Sequence, residues 1–266
     1  MTEYLKKAHH FYYRLVIGLV YLFIFPFVYL YSRKPINLNG LNRMRRILSQ
    51  VTSSLSGFFF SYDFEKPIDW SRTYIICANH TSNLDISTVI LLVKRRFVFL
   101  GKEELLDNLV TRIYFKTIDI PINRASKISS YRGFKRAEQY LKNGTHVIIF
   151  PEGLIGNDYP PVLHPFKLGP FRLAIEHNIP ILPVTITDNW KLLWDDGARF
   201  GSKPGNSQVF VHEPLETAAM NITEAEELRD HVFSLISKKL HGTVAEKAKP
   251  VIAADSEVLP DLNPLP

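Results

Sequence analysis

The residues best suited to chemistry stand together where an apolar run ends. TYIICAN (73–79) leads into Asn79-His80-Thr81-Ser82-Asn83-Leu84-Asp85, with His80 and Asp85 five positions apart. On one continuous helix, side chains at that spacing would diverge by about 140°. A loop feeding a helix that starts at or near Asp85 instead lets the carboxylate fold back onto the imidazole. Such a contact selects one tautomer and leaves the other ring nitrogen as a general base. The chain contains no Gly-x-Ser-x-Gly elbow or other activated serine motif, so the proton to be taken belongs to a substrate hydroxyl. Standing alone, the same pair reads more readily as an Asp that caps a helix beside a His that satisfies a loop carbonyl.

The pair does not stand alone. Downstream come Gly101-Lys102-Glu103-Glu104-Leu105, then IDIPINR (118–124) closing on Arg124. Phe150-Pro151-Glu152-Gly153 and Ile179-Pro180-Ile181-Leu182-Pro183-Val184 follow. In this order and spacing the four blocks resemble the glycerophospholipid acyltransferase family, the 1-acylglycerol-3-phosphate acyltransferases. The resemblance implies that His80 deprotonates an acceptor hydroxyl as it attacks an acyl thioester, with Asp85 orienting the ring. It further implies that Arg124 clasps a phosphate and that Lys102 adds a point charge. Glu152 is expected to bind the acceptor hydroxyl, with backbone N–H groups near Gly153 facing the oxyanion. Many members continue the third block as Phe-Pro-Glu-Gly-Thr-Arg, whereas Leu154 and Ile155 follow here. The missing cation is expected from Lys167, and the change opens lyso-ornithine or lyso-glycine lipids as acceptors beside 1-acylglycerol 3-phosphate. A catalytically silent lipid-binding protein is the reading from another class.

These residues need a scaffold. Short apolar runs at 73–79, 96–100, 118–122, 146–150 and 181–186 predict strands, the third at a sheet edge because of Pro121. Helices are expected near 85–93, 103–115, from Ser129 or Ser130 to Asn143, at 171–177, and after a capping box at Thr223 and Glu226. The alternation predicts one α/β domain at 61–242, a mixed sheet flanked by helices. Residues 243–266 are polar and aperiodic and read as a disordered tail.

Ahead of this body, LVIGLVYLFIFPFVYLY (15–31) is seventeen residues without a charge. It is short for a span, and Pro26 is expected to kink or break its helix. Lys6, Lys7 and Arg14 precede it and Arg33, Lys34, Arg43, Arg45 and Arg46 follow. Residues 1–60 therefore read as a retained membrane-associated segment that dips into one leaflet or spans it. The run LSGFFF (55–60) is either a second dip or the first core strand.

The net charge of +6, with 32 Lys and Arg against 26 Asp and Glu, suits phosphate-bearing partners. No recognition motif for nucleic acid accompanies it. The single cysteine, Cys77, excludes an intramolecular disulfide framework and a cysteine-based zinc cluster. The nine histidines are scattered, so no metal site is expected. The implied partners are a membrane lipid acceptor and acyl-CoA or acyl carrier protein, whose thioester is a co-substrate, and no cofactor is expected. The expected location is the cytoplasmic face of the inner membrane.

Overall fold

A computed structural model describes residues 1–123 and 125–247, without the side chains of 127 and 243–247. Seven strands form its sheet: β1 (Phe58–Phe64), β2 (Ile75–Ala78), β3 (Phe97–Lys102), β4 (Ile120–Ile122), β5 (His146–Ile149), β6 (Ile181–Ile186) and β7 (Gly205–Val211). Their order is β1-β7-β6-β2-β5-β3-β4. The five strands from β6 to β4 are parallel, β7 is antiparallel to β6, and β1 runs parallel to β7. The sheet is therefore mixed, and Pro121 sits in its edge strand, where a missing ladder donor costs least.

Central strands read as unbroken apolar runs because both of their faces are covered. Ile75 and Cys77 enter one core layer with Ala137 and Leu141 of α5 (Lys127–Lys142), Phe171 and Ala174 of α6 (Gly169–His177) and Val232 and Ile236 of α8 (Ala225–Lys247). Ile76 and Ala78 enter the opposite layer with Val89, Ile90 and Leu92 of α3 (Leu84–Leu92). The period-two alternation of a strand thus divides one sequence run between two cores.

Several expectations shift. The stretch 103–115 is a short 3-10 turn at Glu103–Leu106 followed by α4 (Arg112–Thr117). Ser126, not Ser129 or Ser130, caps α5, its side chain accepting the Ser129 N–H. The capping box lies two residues earlier than expected, at Asn221 and Glu224. LSGFFF leads into β1, so it is core strand rather than a second dip. The boundary at 60 falls inside that strand, and the boundary at 242 falls inside α8, which runs to Lys247. The rest of the expected tail, 248–266, lies outside the described residues.

Pro26 does not break the N-terminal helix. α1 (Glu3–Ser32) runs through it for 30 residues, about 45 Å of helix. Ile24 and Val28, on either side of the proline, are buried in the core layer beside Leu41, Met44 and Leu48 of α2 (Leu38–Leu55). Packing on both sides holds the helix across the lost hydrogen bond. The remaining faces of α1 expose Phe11, Leu15, Leu22, Phe23, Phe27 and Leu30. Among the described residues it is the helix long and apolar enough to cross a membrane. Its first turns are tied to the body: Ser202 N–H donates to the Lys6 carbonyl at 3.0 Å, and His9 reaches Ser202 Oγ and the Ser56 carbonyl.

Candidate active site

Open parallel sheets present their functional groups beyond the carboxyl ends of the strands, and here those ends converge. β2 ends at Ala78, and Asn79 staples that end to its neighbour: its amide donates to the Ile186 carbonyl at 2.9 Å and accepts the Ile186 N–H at 2.7 Å. The next residue is His80. Its Nδ1 lies 3.0 Å from Asp85 Oδ2. The same carboxylate oxygen accepts the N–H groups of Thr81 at 2.7 Å and Ser82 at 2.8 Å. Its other oxygen accepts from Asn189 Nδ2 at 2.8 Å.

Asp85 is fully buried, whereas the His80 side chain keeps 14% of its surface. A buried carboxylate holding three other donors stays an acceptor. The His80 ring therefore donates from Nδ1, and Nε2 carries the lone pair. The ring stacks on Phe150 at 4.0 Å between centroids. Two constraints, one polar and one apolar, thus orient a single basic nitrogen.

Phe150 belongs to the turn that follows β5, the strand beside β2. Gly153 adopts φ +80° there, and its N–H donates to the Phe150 carbonyl at 3.0 Å. The positive φ is the reason for glycine at this position. Glu152 is 1% exposed, and its two oxygens accept the backbone N–H groups of His80 at 2.7 Å and His164 at 2.8 Å. Burial raises its carboxyl to about 7, against the pull of those two N–H groups. Glu152 therefore differs from its expected role: it is turned into the fold, pinning the His80 backbone rather than facing an acceptor hydroxyl. The Gly153 N–H is engaged in its own turn.

Lys102 closes β3, at the same end of the sheet as His80. Its charge acts on Asp195, whose carboxyl is raised by burial and by Asp196. Asp195 has φ 52° and lies alongside the loop from His80 to Asp85. Its N–H donates to the Thr81 carbonyl, and its carbonyl accepts the Asn83 N–H at 2.8 Å. Lys167 is exposed, its N–H bonded to the Pro151 carbonyl at 2.9 Å. Arg124 lies outside the described residues.

Asn189 and Asp195 escape a linear reading. Asn189 stands 104 positions beyond the carboxylate it binds, and it opens α7 (Asn189–Leu192) in a stretch without periodicity. Its only signal is position: like His80 and Glu152, it falls just past the carboxyl end of a central strand.

A family model described as Acyltransferase matches residues 60–187. A 1-acyl-sn-glycerol-3-phosphate acyltransferase of Chlamydomonas reinhardtii is 27% identical over 178 residues, covering 66% of this chain and 52% of that protein. The mouse 1-acyl-sn-glycerol-3-phosphate acyltransferase alpha is 28% identical over 165 residues, 61% of this chain and 56% of that one. The chain thus spans about half the length of these relatives. The crystal structure of the Thermotoga maritima 1-acyl-sn-glycerophosphate acyltransferase, PlsC, superposes with a TM-score of 0.74. It covers 93% of this chain and 99% of that one, at 23% identity, a likeness of fold.

Proposed function

We propose that this chain is a member of the acyltransferase family, which it matches over residues 60–187, and that it moves a fatty acyl group from a thioester to the free hydroxyl of a membrane lysophospholipid. The donor is acyl-CoA or acyl carrier protein, and the leading acceptor is 1-acylglycerol 3-phosphate, giving phosphatidic acid. The observation that carries this reading is the Nδ1 contact of His80 with a carboxylate already saturated by two backbone N–H groups and Asn189. Nε2 takes the hydroxyl proton as the oxygen attacks the thioester carbonyl. The tetrahedral carbon then expels the thiolate, and the imidazolium returns the proton to sulfur, so no covalent enzyme intermediate is required. Asp85 steadies the transient positive charge on the ring. Lys102 and Lys167 supply positive charge for the acceptor phosphate, a role shared with Arg124.

Membrane association accompanies this reading, with α1 settling its exposed aromatic and aliphatic faces into the cytoplasmic leaflet of the inner membrane. A lysolipid taken at the interface keeps its chain in the leaflet, avoiding a cost of about 0.8 kcal/mol per CH₂ drawn into water.

One observation favours a second acceptor. The Asp195 backbone bonds to Thr81 and Asn83 of the His80 loop, which brings a carboxylate to that loop, and Leu154 and Ile155 replace a hydroxyl and a cation. An amine-bearing lysolipid suits that balance better than a phosphate dianion. The deciding experiment is thiol release from acyl-CoA and from acyl carrier protein thioester, with lysophosphatidic acid and an aminoacyl lysolipid as rival acceptors. Release with lysophosphatidic acid that vanishes in His80→Ala upholds the leading reading. Release with the aminoacyl lipid alone replaces it, and no His80-dependent release removes the enzyme assignment.

A further inference from the structure

The opposite end of the sheet holds a second concentration of charge. An open cavity of about 430 Å³ is lined by Asn39, Asn42, Arg46, Lys94, Arg95 and Arg96. It lies at the amino end of β3, away from the carboxyl-end site of His80. Its floor is built. Asn42 is buried, its amide donating to the Phe97 carbonyl and accepting the Phe97 N–H, both at 3.0 Å. Arg46 donates to the Val93 and Arg95 carbonyls, fastening the turn that carries Lys94 and Arg95 onto α2. Arg96 reaches the Asn143 carbonyl at 3.0 Å. Among the described residues no carboxylate lines the cavity. Asp69, whose carboxyl feels Arg95 at a distance, is bound to the Ser71 N–H and hydroxyl.

Four cations converging without a counter-ion attract an anion, and their donors match phosphate oxygens. Proximity to α1 selects the source. Tyr31, in the last turn of α1, packs so closely on Gly40 that a Cβ there would stand 2.6 Å from its ring. Gly40 directly follows Asn39 of the cavity wall. The preceding turns of α1 expose Phe23, Phe25, Phe27 and Leu30. At the helix end Arg33 donates to the Tyr29 hydroxyl at 2.7 Å, a tyrosine–arginine pairing suited to the headgroup level. The apolar end of α1 and the basic cavity are therefore neighbours.

We propose that this cavity seats the phosphate of an anionic membrane lipid, drawn from the leaflet into which α1 settles. The proposal rests on the membrane reading of α1. The cavity would give the domain a second contact with that leaflet, beside α1 and separate from the acyl-transfer site.

The test compares wild type, Lys94→Gln/Arg95→Gln, and Lys66→Gln/Arg72→Gln. The last pair removes the same charge from residues ion-paired to Glu213 and Glu216. Partitioning is measured on vesicles of phosphatidylcholine alone and of phosphatidylcholine mixed with phosphatidylglycerol, after thermal melts show that both variants fold. Lys94 and Arg95 are exposed, and their loss should lower binding to the mixed vesicles about 30-fold. Binding to neutral vesicles should hold, and the control pair should stay near wild type. Equal behaviour of the two double variants on mixed vesicles overturns the proposal. So does inorganic phosphate that perturbs the cavity arginines in NMR spectra while vesicle binding ignores Lys94 and Arg95, because the occupant is then a free phosphate. Wild type that ignores neutral vesicles, yet binds mixed ones through Lys94 and Arg95, upholds the cavity and removes the membrane reading of α1.

Discussion

Asp119 and Asp85 are both buried carboxylates that hold a cationic or basic partner, and they are built for opposite ends. Asp119 accepts from Arg45 Nη2 at 2.5 Å and from the Phe99 N–H at 2.9 Å. Arg45 lies over Tyr114 at 4.3 Å and over Phe97 and Phe99, both at 5.3 Å. Both side chains are nearly sealed, 6% and 2% exposed. A guanidinium does not give up its proton in a protein, so this pair locks α2 to the sheet. Asp85 is sealed as completely, but its partner His80 keeps a solvent-reachable edge and an uncommitted nitrogen. Burial alone thus says little about reactivity. A buried pair is open to a substrate only when one of its atoms faces outward.

The contrast is broken or sharpened by four substitutions. His80→Ala should cost about 10²- to 10⁴-fold in thiol release, the range of a lost general base, while the melting temperature moves little. A comparable loss of stability would erase the distinction drawn here. Asp119→Ala should do the reverse. Leaving Arg45 buried and unpaired costs about 3–5 kcal/mol of stability, read from urea melts, with activity per folded molecule unchanged. Asp85→Asn should lower kcat by about 10²-fold, because an amide can donate to Nδ1 and hold the wrong tautomer. It should leave KM for the acyl thioester near its original value, and an equal effect on both constants would point to general distortion of the loop.

Glu152→Gln is the mildest. Its amide leaves one of the two backbone N–H groups without an acceptor, worth about 1–3 kcal/mol, and should slow turnover about tenfold. It also carries a pH signature. Folded Glu152 keeps its proton up to about pH 7 against a usual 4.5, so between these values the folded chain binds more protons than the unfolded one. That stabilisation is complete below 4.5 and is lost as pH rises through about 7. Thermal melts across this window should show wild type losing stability relative to Glu152→Gln as pH increases. A constant difference would mean that the carboxyl titrates normally.

The legible parts of the fold were those with a strong local cause. β2, β5 and β6 are short apolar runs because they are covered on both faces, and β6 coincides with the run 181–186. β7 was missed because it buries only alternate residues, from a start rich in Gly, Asn and Ser. α2 was missed for a different reason. Leu38, Leu41, Met44, Leu48, Val51 and Leu55 recur there at helical spacing, but the basic flank of the apolar run drew all of 1–60 into one membrane segment. Pro26 misled because a local rule was overridden by packing on both sides of it.

For the site, the types and order of His80, Asp85, Lys102 and Glu152 were determined by the sequence alone, as was the loop that brings His80 and Asp85 within reach. Both depend on neighbours along the chain. Only the tertiary structure decided that Glu152 turns inward to hold the His80 backbone, that Gly153 spends its N–H within its own turn, and that Asn189 and Asp195 join from beyond β6. These contacts exist because a parallel sheet sets the ends of separate strands side by side, joining residues that sequence spacing leaves apart.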